Sequence, residues 1–327
     1  MGRYAKIEGD DVASTEPTAS ATRAARAMPP VPPEETEGWA ETVWRHGAPP
    51  GARLRWLAPR LPVLRRADRL ESLRSPYVTC WGREDADAVL RSGARLHHLD
   101  ALPGTAVPRL MRGYRRAGWA ADLYRSFGVW HDDLSAGWPT FWAARPTRLR
   151  ETVRRKRGRF GAPRRVCGDA AAAAHRAVAA EAWQGAEPFP RFVEAAIRRG
   201  GEEGWLRAYQ LGTDAEGGAE GGAKGGDAPA ALQLWLVGAG WASLAKTWHR
   251  RAEQGASPGT ILTAAVLERL AGEGVRGFDL GRGDDPYKAD WARFRAQRWG
   301  VVAAPLASPR GLAIAARVTA KTLLGRN

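Results

Sequence analysis

The stretch GFDLGRGDDPYKADWARF, residues 277–294, carries more polar chemistry than an ordinary turn requires. A short apolar strand, predicted over 275–280, runs into two glycines, an arginine and two aspartates, and then into Tyr287 and Lys288. Loops at strand ends often hold binding and catalytic side chains, whereas aspartates in front of a proline also cap ordinary helices. Taken alone, the loop allows both interpretations, a capped helix start and the wall of a functional site.

A second informative stretch, QGASPGT, occupies residues 254–260 and precedes a predicted helix over 260–271. Ser257 suits a helix cap and Pro258 suits the first helical position, while the two glycines let a backbone approach a ligand closely. Helix N-termini attract phosphate groups through their N–H groups and the helix dipole. The segment therefore predicts either a phosphate-binding loop or simply the start of a helix.

The same letters spell G-x-S-x-G, the nucleophile motif of serine hydrolases. In that motif the N–H after the serine helps to form the oxyanion hole, and here Pro258 has no N–H. The catalytic histidine of such enzymes follows the serine in sequence, whereas all six histidines of this chain precede Ser257. These two departures exclude the hydrolase interpretation.

Composition indicates a folded protein of two domains with anionic partners. The 327 residues suit two domains of ordinary size, and a hydrophobic fraction of 44% with 15 Trp argues against general disorder. The formal charge of +15 comes from 50 basic residues, of which only six are Lys. Arginine favours phosphates and carboxylates, so nucleotides, nucleic acid and anionic lipid are candidates, although biased base composition of a genome explains the arginines equally well.

Cysteine and histidine positions predict neither a disulfide framework nor a metal site. The two cysteines, Cys80 and Cys167, are far apart and lack neighbouring ligands, which fits a reducing cytoplasm. The runs 97–100 (HHLD) and 131–133 (HDD) are interpreted as surface polar residues rather than as metal ligands. There is no apolar run of about 18 residues and no secretory signal, so we expect neither a membrane span nor export.

The periodicity of the chain predicts a mixed α/β (α+β) fold between two low-complexity segments. Residues 1–37 are expected to be a disordered tail, and residues 213–229 a flexible glycine-rich insertion in a hairpin. Strands are predicted over 94–102, 121–134, 205–212, 230–238, 240–250 and 275–280, and helices over 106–119, 137–160, 171–183, 189–199 and 260–271.

The order SPGTIL, helix, GVRGFDLGRGDDPYKADW and final strand resembles the GNAT-superfamily acetyltransferases of the CelD or BioF-like type. These are related to the Fem-type peptidoglycan aminoacyl transferases. The resemblance covers residues 150–306, and the earlier segments ESLRSPYVTCWG and FWAARPTRLRETVRRKRGRF resemble the first lobe of such proteins. It implies tandem GNAT-like lobes, with a short or degenerate first lobe over 38–149, an acetyltransferase domain over 150–306 and a basic amphipathic tail over 307–327.

The resemblance also implies the donor chemistry, in which an amine attacks the thioester of acetyl-CoA or another acyl-CoA without a metal. The donor pyrophosphate is expected along 254–260, and the strand ending at Trp248 is expected to pair with the pantetheine arm. Its N–H groups would then polarise the thioester carbonyl. The cofactor-binding candidates are Gln254, Gly255, Ser257, Gly259, Thr260 and Trp248.

On the acceptor side, the resemblance implies that strands 240–250 and 275–280 splay, so that the loop after Leu280 faces the acceptor. Lys288 falls where Fem-type enzymes keep a functional lysine and is the first catalytic candidate. Asp279, Tyr287 and Arg282 follow, and His249 is the candidate general base because an ordinary imidazole titrates near neutral pH.

The resulting expectation is a cytoplasmic acyl-CoA-dependent N-acyltransferase that acts on an amino-sugar, polysaccharide or cell-envelope precursor. Two alternatives stay open: a Fem-like transferase that uses aminoacyl-tRNA, and a non-catalytic binding module of envelope biosynthesis. The C-terminal stretch GLAIAARVTAKTLLGRN, residues 311–327, is expected either to pack as a terminal helix or to lie on an anionic membrane surface.

Overall fold

The computed structural model describes residues 36–57, 61–73, 86–182, 184–185, 187–212 and 229–324. The expected N-terminal tail lies almost wholly outside these residues, as does the glycine-rich insertion. The strands are β1 (Arg53–Trp56), β2 (Pro62–Arg66), β3 (Arg69–Ser72), β4 (Leu96–Pro103), β5 (Trp119–Asp133), β6 (Arg164–Val166), β7 (Leu206–Leu211), β8 (Ala231–Gly238), β9 (Trp241–His249), β10 (Gly277–Arg282) and β11 (Phe294–Pro305). The helices are α1 (Glu37–Gly47), α2 (Ala86–Leu90), α3 (Val107–Arg116), α4 (Trp138–Ala143), α5 (Thr147–Lys156), α6 (Gly168–Ala180), α7 (Pro190–Glu202), α8 (Pro258–Gly272), α9 (Lys288–Trp291) and α10 (Pro309–Leu323).

All of these strands form one mixed sheet in the order β1-β2-β3-β4-β11-β5-β10-β9-β8-β7-β6. The last strand, β11, lies between β4 and β5 and is antiparallel to both. Strand β5 in turn pairs with β10. The two halves of the chain are therefore joined by hydrogen-bonded strands, and the predicted mixed α/β fold is confirmed. The proposed boundary near residue 150 stays a prediction.

The apolar strand β8 explains how the second half packs. Successive side chains of a strand point to opposite faces, and both faces of β8 are covered. Leu232, Leu234 and Leu236 face a core formed with α1, α6 and α7. Trp235 and Val237 face a second core formed with α8 and α4. A third core fills the first half, between α3 and strands β2–β5 and β11.

The helix predicted over 137–160 is divided into α4 and α5. Pro146 stands at the break with φ −52° and ψ 138°, because a proline within a helix lacks an N–H and clashes with the preceding turn. The predicted fourfold spacing in α8 is present, since Leu262, Val266 and Leu270 are all buried.

The expectation that residues 97–100 and 131–133 carry surface polar groups is wrong for His97, Asp100 and Asp132, which are buried. Asp132 is neutralised on two sides. Arg145, itself buried, donates to Asp132 Oδ2 over 3.0 Å, and Arg293 donates from Nη2 to Oδ1 over 2.7 Å. Arg145 also donates to the carbonyl of Trp291. This cluster therefore connects β5 to the end of α9, which follows the loop 282–288.

The terminal helix α10 packs against β5 and β11. Its cations face the first half of the chain: Lys321 Nζ lies 3.0 Å from Asp122 Oδ1, and Arg317 Nη2 lies 2.8 Å from Asp122 Oδ2. Leu312 and Leu323 remain exposed on the outer side. No helix in the described part of the chain combines the length and the apolar character that crossing a bilayer requires.

Candidate functional site

Strands β9 and β10 run parallel for only three residue pairs, from Gly277↔Trp241 to Asp279↔Ser243, and then separate. Ala245 is the extra residue of a β-bulge in β9, because Leu244 and Lys246 pair with consecutive residues of β8. Gly281 has φ 66°, and a Cβ there would lie 2.3 Å from the carbonyl oxygen of Leu244. A glycine is therefore required where β10 turns away from β9.

A cavity of about 550 Å³ opens between the separated strand ends. It is lined by Gln184, Gln233, Leu244, Ala245, Lys246, Thr247, His249, Gln254, Ser257, Pro258, Gly259, Thr260, Thr263, Leu280, Arg282, Asp285, Tyr287, Lys288 and Trp291. We call this space the cleft. The N-terminus of α8 forms one wall and the loop after β10 forms the opposite wall.

The wall at the N-terminus of α8 is held in place by side chains from other elements. Ser257 has φ 60° and ψ 47°, a left-handed conformation in front of Pro258. Lys156, the last residue of α5, donates from Nζ to the carbonyl of Gly255 over 2.7 Å and to Ser257 Oγ over 3.0 Å. A cation thus stands beside the helix N-terminus, and both favour an anionic group at this end of the cleft.

A buried glutamine fixes the first turn of α8. Gln233 is 1% exposed although it lies in the apolar strand β8. Its Nε2 donates to Thr263 Oγ1 over 2.7 Å and to the carbonyl of Gly259 over 3.3 Å, and its Oε1 accepts from Trp235 Nε1 over 3.0 Å. The amide thereby satisfies its buried polar atoms and ties the helix start to the sheet.

The opposite wall is the loop 282–288, and Lys288 holds its shape. Lys288 is 3% exposed, and its Nζ donates to the carbonyls of Arg282 and Gly283 over 2.8 and 3.2 Å. It also lies 3.2 Å from Asp285 Oδ2. Three groups thus use the three donors of the ammonium.

The other polar residues of this loop have separate tasks. Asp284 forms two hydrogen bonds of 2.6 Å with Arg295 of β11, and this pairing keeps the pKa of the carboxyl low. Tyr287 is 45% exposed at the edge of the cleft. Partial burial and the nearby Asp285 carboxylate raise the pKa of Tyr287 to about 12, so the phenol is protonated at neutral pH.

Beyond Ser243 the edge of β9 is not paired with β10 and faces the cleft, until Arg250 bridges to Ala182. The backbone N–H of Arg250 donates to the carbonyl of Ala230, so these two residues form a hydrogen-bonded pair. Hydrogen-bonded and non-hydrogen-bonded pairs alternate along an antiparallel ladder. Thr247, three residues earlier, therefore belongs to a pair in which its N–H and C=O groups do not bond to β8. In agreement, the carbonyl of Thr247 accepts from Gln184 Nε2 over 2.9 Å on the cleft side. The N–H of Thr247 therefore points toward the cleft.

His249 lies near the α8 end of this edge. A Cβ on Gly259 would lie 3.8 Å from His249 Nδ1. Burial lowers the pKa of His249, so the imidazole is neutral at neutral pH. It stands closer to the expected phosphate end than to the point where the strands separate.

All eleven candidate residues are described by the structure, and eight of them line the cleft: Lys288, Tyr287, Arg282, His249, Gln254, Ser257, Gly259 and Thr260. Gly255 lies just outside and contributes its carbonyl to Lys156. Asp279 is turned away; its carboxylate accepts from Trp241 Nε1, Ser243 Oγ and the N–H of Gly281. The Trp248 indole is 1% exposed in the core on the other face of the sheet. The roles of the eleven residues stay predictions.

Several polar lining residues were not among the candidates, namely Gln184, Gln233, Lys246, Thr247, Thr263 and Asp285, and neither was Lys156, which contacts the wall at α8 from outside the lining. Gln233 had a signal, since a lone amide in an apolar strand needs buried partners. Lys156 was visible as part of the basic end of a helix, but its contact with residue 257 depends on tertiary packing. Among the described residues, no three His, Cys, Asp or Glu side chains are grouped so that they could hold a metal ion.

One family model matches the part of the chain that forms most of the cleft. Residues 147–289 match the family model described as an acetyltransferase (GNAT) domain, and this range contains both walls of the cleft apart from Trp291. A sequence search of curated proteins gave no significant match.

Several solved structures share the fold. The C-terminal domain of a putative lysylphosphatidylglycerol synthetase from Agrobacterium fabrum has a TM-score of 0.55 at 13% identity, covering 80% of this chain and 86% of that one. FemX has a TM-score of 0.56 at 9% identity, with 82% and 91% covered. L-PGS from Bacillus licheniformis has a TM-score of 0.53 at 12% identity, with 86% and 96% covered. At these identities the likeness concerns the fold alone.

Proposed function

We propose that this protein is an acyl-CoA-dependent N-acyltransferase of the CelD or BioF-like type, acting on an amino-sugar, polysaccharide or cell-envelope precursor. The observation that carries the proposal is the separation of β9 and β10 after three residue pairs. The separation opens a cleft with a helix N-terminus at one wall and a free strand edge along its length. An acyl-CoA needs both features, an anion site for its phosphates and peptide groups that pair with its amide-containing arm.

In this proposal the donor phosphates lie at residues 254–260, where the N–H groups of α8 and the Lys156 ammonium meet. The pantetheine arm pairs with the free edge of β9, and its thioester lies near the bulge at Ala245. The N–H of Thr247 is then directed at the carbonyl oxygen and stabilises the negative charge that develops during attack. The donor is acetyl-CoA or a longer acyl-CoA.

The reaction is a direct acyl transfer. The neutral amine nitrogen attacks the thioester carbon, the C–N bond forms, the C–S bond breaks, and the CoA thiolate leaves and takes up a proton. The proton lost by the amine goes to a base. His249 is neutral and lies on the same strand edge, two residues or about 7 Å beyond Thr247, so in this proposal a water relays the proton to it.

The acceptor faces the loop 282–288. Lys288 holds the carbonyls of Arg282 and Gly283 inward, which fixes the direction of the Arg282 and Tyr287 side chains at the wall. Arg282, packed over the Phe127 ring at 4.5 Å, offers a cation to an anionic part of the acceptor. Lys288 is a positioning residue in this scheme. The proposed location is the cytoplasm, with peripheral membrane contact as an alternative.

Calorimetric titration of the purified chain with acetyl-CoA and with longer acyl-CoAs tests the donor. We expect heat from at least one of them and weaker binding by Lys156→Ala. Absence of binding by every acyl-CoA would contradict the proposal. Lys288→Ala distinguishes an enzyme from a non-catalytic binding module, because only an enzyme loses turnover while acyl-CoA binding survives.

Aminoacyl-tRNA is the second candidate donor. The fold likeness to FemX supports it, as does a set of exposed arginines, Arg157, Arg159, Arg164 and Arg165, which form no ion pair within the described part of the chain. This candidate predicts tRNA binding whose affinity falls steeply with salt. Absent or salt-independent binding of tRNA would remove it.

A further inference from the structure

The lining of the cleft contains one carboxylate among the residues that the structure describes, that of Asp285. The preceding residue, Asp284, does not belong to the lining, and Arg295 holds both of its oxygens. A positively charged group that enters the cleft therefore has Asp285 as its carboxylate partner within the lining.

Asp285 has an oxygen available for a ligand. Its side chain is 60% exposed, and Oδ2 lies 3.2 Å from Lys288 Nζ. Oδ1 accepts no hydrogen bond from any residue that the structure describes. Lys288 uses its other two donors on the carbonyls of Arg282 and Gly283, so the ion pair positions the carboxylate and leaves one oxygen open. An ionised carboxylate forms strong hydrogen bonds with an ammonium group.

Arg282 is the cation of the lining that forms no ion pair in the described part of the chain. Lys246 Nζ lies 3.6 Å from Glu187, which is outside this lining, and Lys288 is occupied as described above. Arg282 is exposed, and its guanidinium packs over the Phe127 ring at 4.5 Å. Its N–H groups meet no acceptor among the described residues. Stacking uses the face of the guanidinium and leaves the N–H groups at its edge for a carboxylate or a phosphate.

Arg282 and Asp285 carry opposite charges on one wall of the cleft, yet they form no ion pair with each other. They are three positions apart in the chain, so their Cα atoms lie within about 11 Å of each other. Both side chains reach the same cavity of about 550 Å³. A ligand with an amine alone would leave Arg282 without a partner, and an anion alone would leave Oδ1 of Asp285 without one. A small molecule that carries both charges satisfies the two groups together.

We propose that the acceptor is a zwitterion, whose primary ammonium group binds Asp285 and whose carboxylate or phosphate, a few bonds away, binds Arg282. The proposal rests on the function proposed above and narrows its acceptor to precursors that carry an acidic group beside the amine. Asp285 is a substrate-binding residue in this scheme. The bound ammonium gives up one proton to water, and the neutral amine then attacks the thioester in the acyl transfer already described.

Calorimetry on the full chain with four small probes tests the charge class. β-Alanine and O-phosphoethanolamine carry both charges, ethanolamine carries only the ammonium, and propionate carries only the carboxylate. We expect at least one zwitterion to bind about tenfold more tightly than both single-charge probes. The tighter of the two zwitterions identifies the anion that Arg282 accepts. Zwitterions that bind no more tightly than ethanolamine or propionate, or that do not bind, overturn the proposal.

Two conservative variants assign the two contacts. Asp285→Asn keeps an oxygen for Lys288 but removes the negative charge, so it should weaken binding of the zwitterion and of ethanolamine about tenfold and leave propionate unchanged. Arg282→Gln should weaken the zwitterion and propionate by a similar factor and leave ethanolamine unchanged. A purely structural role of either residue would weaken all probes alike, and that outcome overturns the assignment.

Glu268→Gln is the matched control, because it removes an exposed carboxylate of α8 that does not line the cleft. It should leave the affinities for the four probes and for acetyl-CoA unchanged. If acetyl-CoA fails to bind while a zwitterion binds and depends on Asp285, the donor proposal fails and the acceptor class stands. If acetyl-CoA binds but the probes show no preference for two charges, the acceptor class fails and the donor proposal stands.

Discussion

The two halves of the chain each bury one histidine, and the two environments differ. His97, in the first half, is fully enclosed and pairs on both nitrogens, with Tyr114 Oη at 2.8 Å and Ser92 Oγ at 3.2 Å. His175, in the second half, is almost equally enclosed and pairs on neither within the described residues. Burial is the main reason that both have a pKa of about 4. The two histidines are therefore equally buried, but only His97 is hydrogen-bonded into the described part of the fold.

The sheet centre and the end of β9 also differ in whether their polar groups are paired. At the centre, buried Asp132 is paired with Arg145 and Arg293, and this cluster connects β5 to the end of α9. At the end of β9, the Thr247 N–H, the Ser257 loop and the His249 ring border open space. We infer that the first half and the sheet centre maintain the geometry, while the β9 region provides the binding groups.

The largest loss of stability is expected at Asp132, because its carboxylate is paired with two arginines. Asp132→Ala leaves the buried Arg145 guanidinium without its carboxylate, and breaking such a pair typically costs about 3–5 kcal/mol. Chemical denaturation at pH 7 should show this loss in the free energy of unfolding. Asp169→Ala, which removes an exposed partner of Arg198, is the matched control and should change stability by less than about 0.5 kcal/mol. A loss at Asp132 as small as that of the control would contradict the structural role.

The two histidines should contribute alike to the pH dependence of stability. Their folded pKa of about 4 lies below the ordinary value of 6.5, so the unfolded state binds more protons between these values. The stabilising contribution is complete above pH 6.5 and is lost as the pH falls toward 4, by up to roughly 3 kcal/mol for each histidine. In denaturation experiments across this pH range, the free energy of unfolding should fall less steeply with falling pH for both His97→Leu and His175→Leu than for the wild type. A slope unchanged in both variants would show that neither ring is kept neutral by burial.

At pH 7, by contrast, the two replacements should differ in their effect on stability. His97→Leu removes two hydrogen bonds and leaves the buried Tyr114 hydroxyl unpaired, with an expected loss of about 1–3 kcal/mol. His175→Leu removes no hydrogen bond among the described residues and should leave stability unchanged or higher. Thermal unfolding of the two variants side by side measures the difference. Equal destabilisation would mean that His175 has a structural partner after all.

The sequence predicted the second half of the fold well because its signals are local. The apolar strands β7 and β8, the fourfold spacing in α8 and the proline at its start each depend on neighbouring residues. The position of β11 between β4 and β5 had no local signal, since it requires residues 294–305 to pair with strands about 170 to 200 positions earlier. The break at Pro146 was readable in principle, because proline ends helices wherever it occurs.

For the cleft, the sequence identified groups but not their directions. The loop 254–260 was found from residue type and Lys288 from the resemblance to Fem-type enzymes, and residues of both line the same cavity. Asp279 and Trp248 were chosen for their position at strand ends, but strand residues alternate between faces. The bulge at Ala245 shifts that alternation along β9 by one residue, and no feature of the sequence marks it. The unpaired nitrogens of His175 were likewise invisible, since pairing is a property of the folded state.

A small effect on stability is also expected from Lys156→Ala. The Lys156 side chain is only partly buried, and its two hydrogen bonds to residues 255 and 257 lie at the surface, so the loss should stay below about 0.5 kcal/mol. The affinity for acetyl-CoA should nevertheless fall by about five- to tenfold, because a cation beside the N-terminus of α8 is lost where the phosphates are proposed to bind. Lys156→Arg should retain most of the affinity, and raising the salt concentration should reduce the difference between wild type and Lys156→Ala. A variant that unfolds more easily but binds acetyl-CoA normally would place Lys156 with His97, among the groups that maintain the fold.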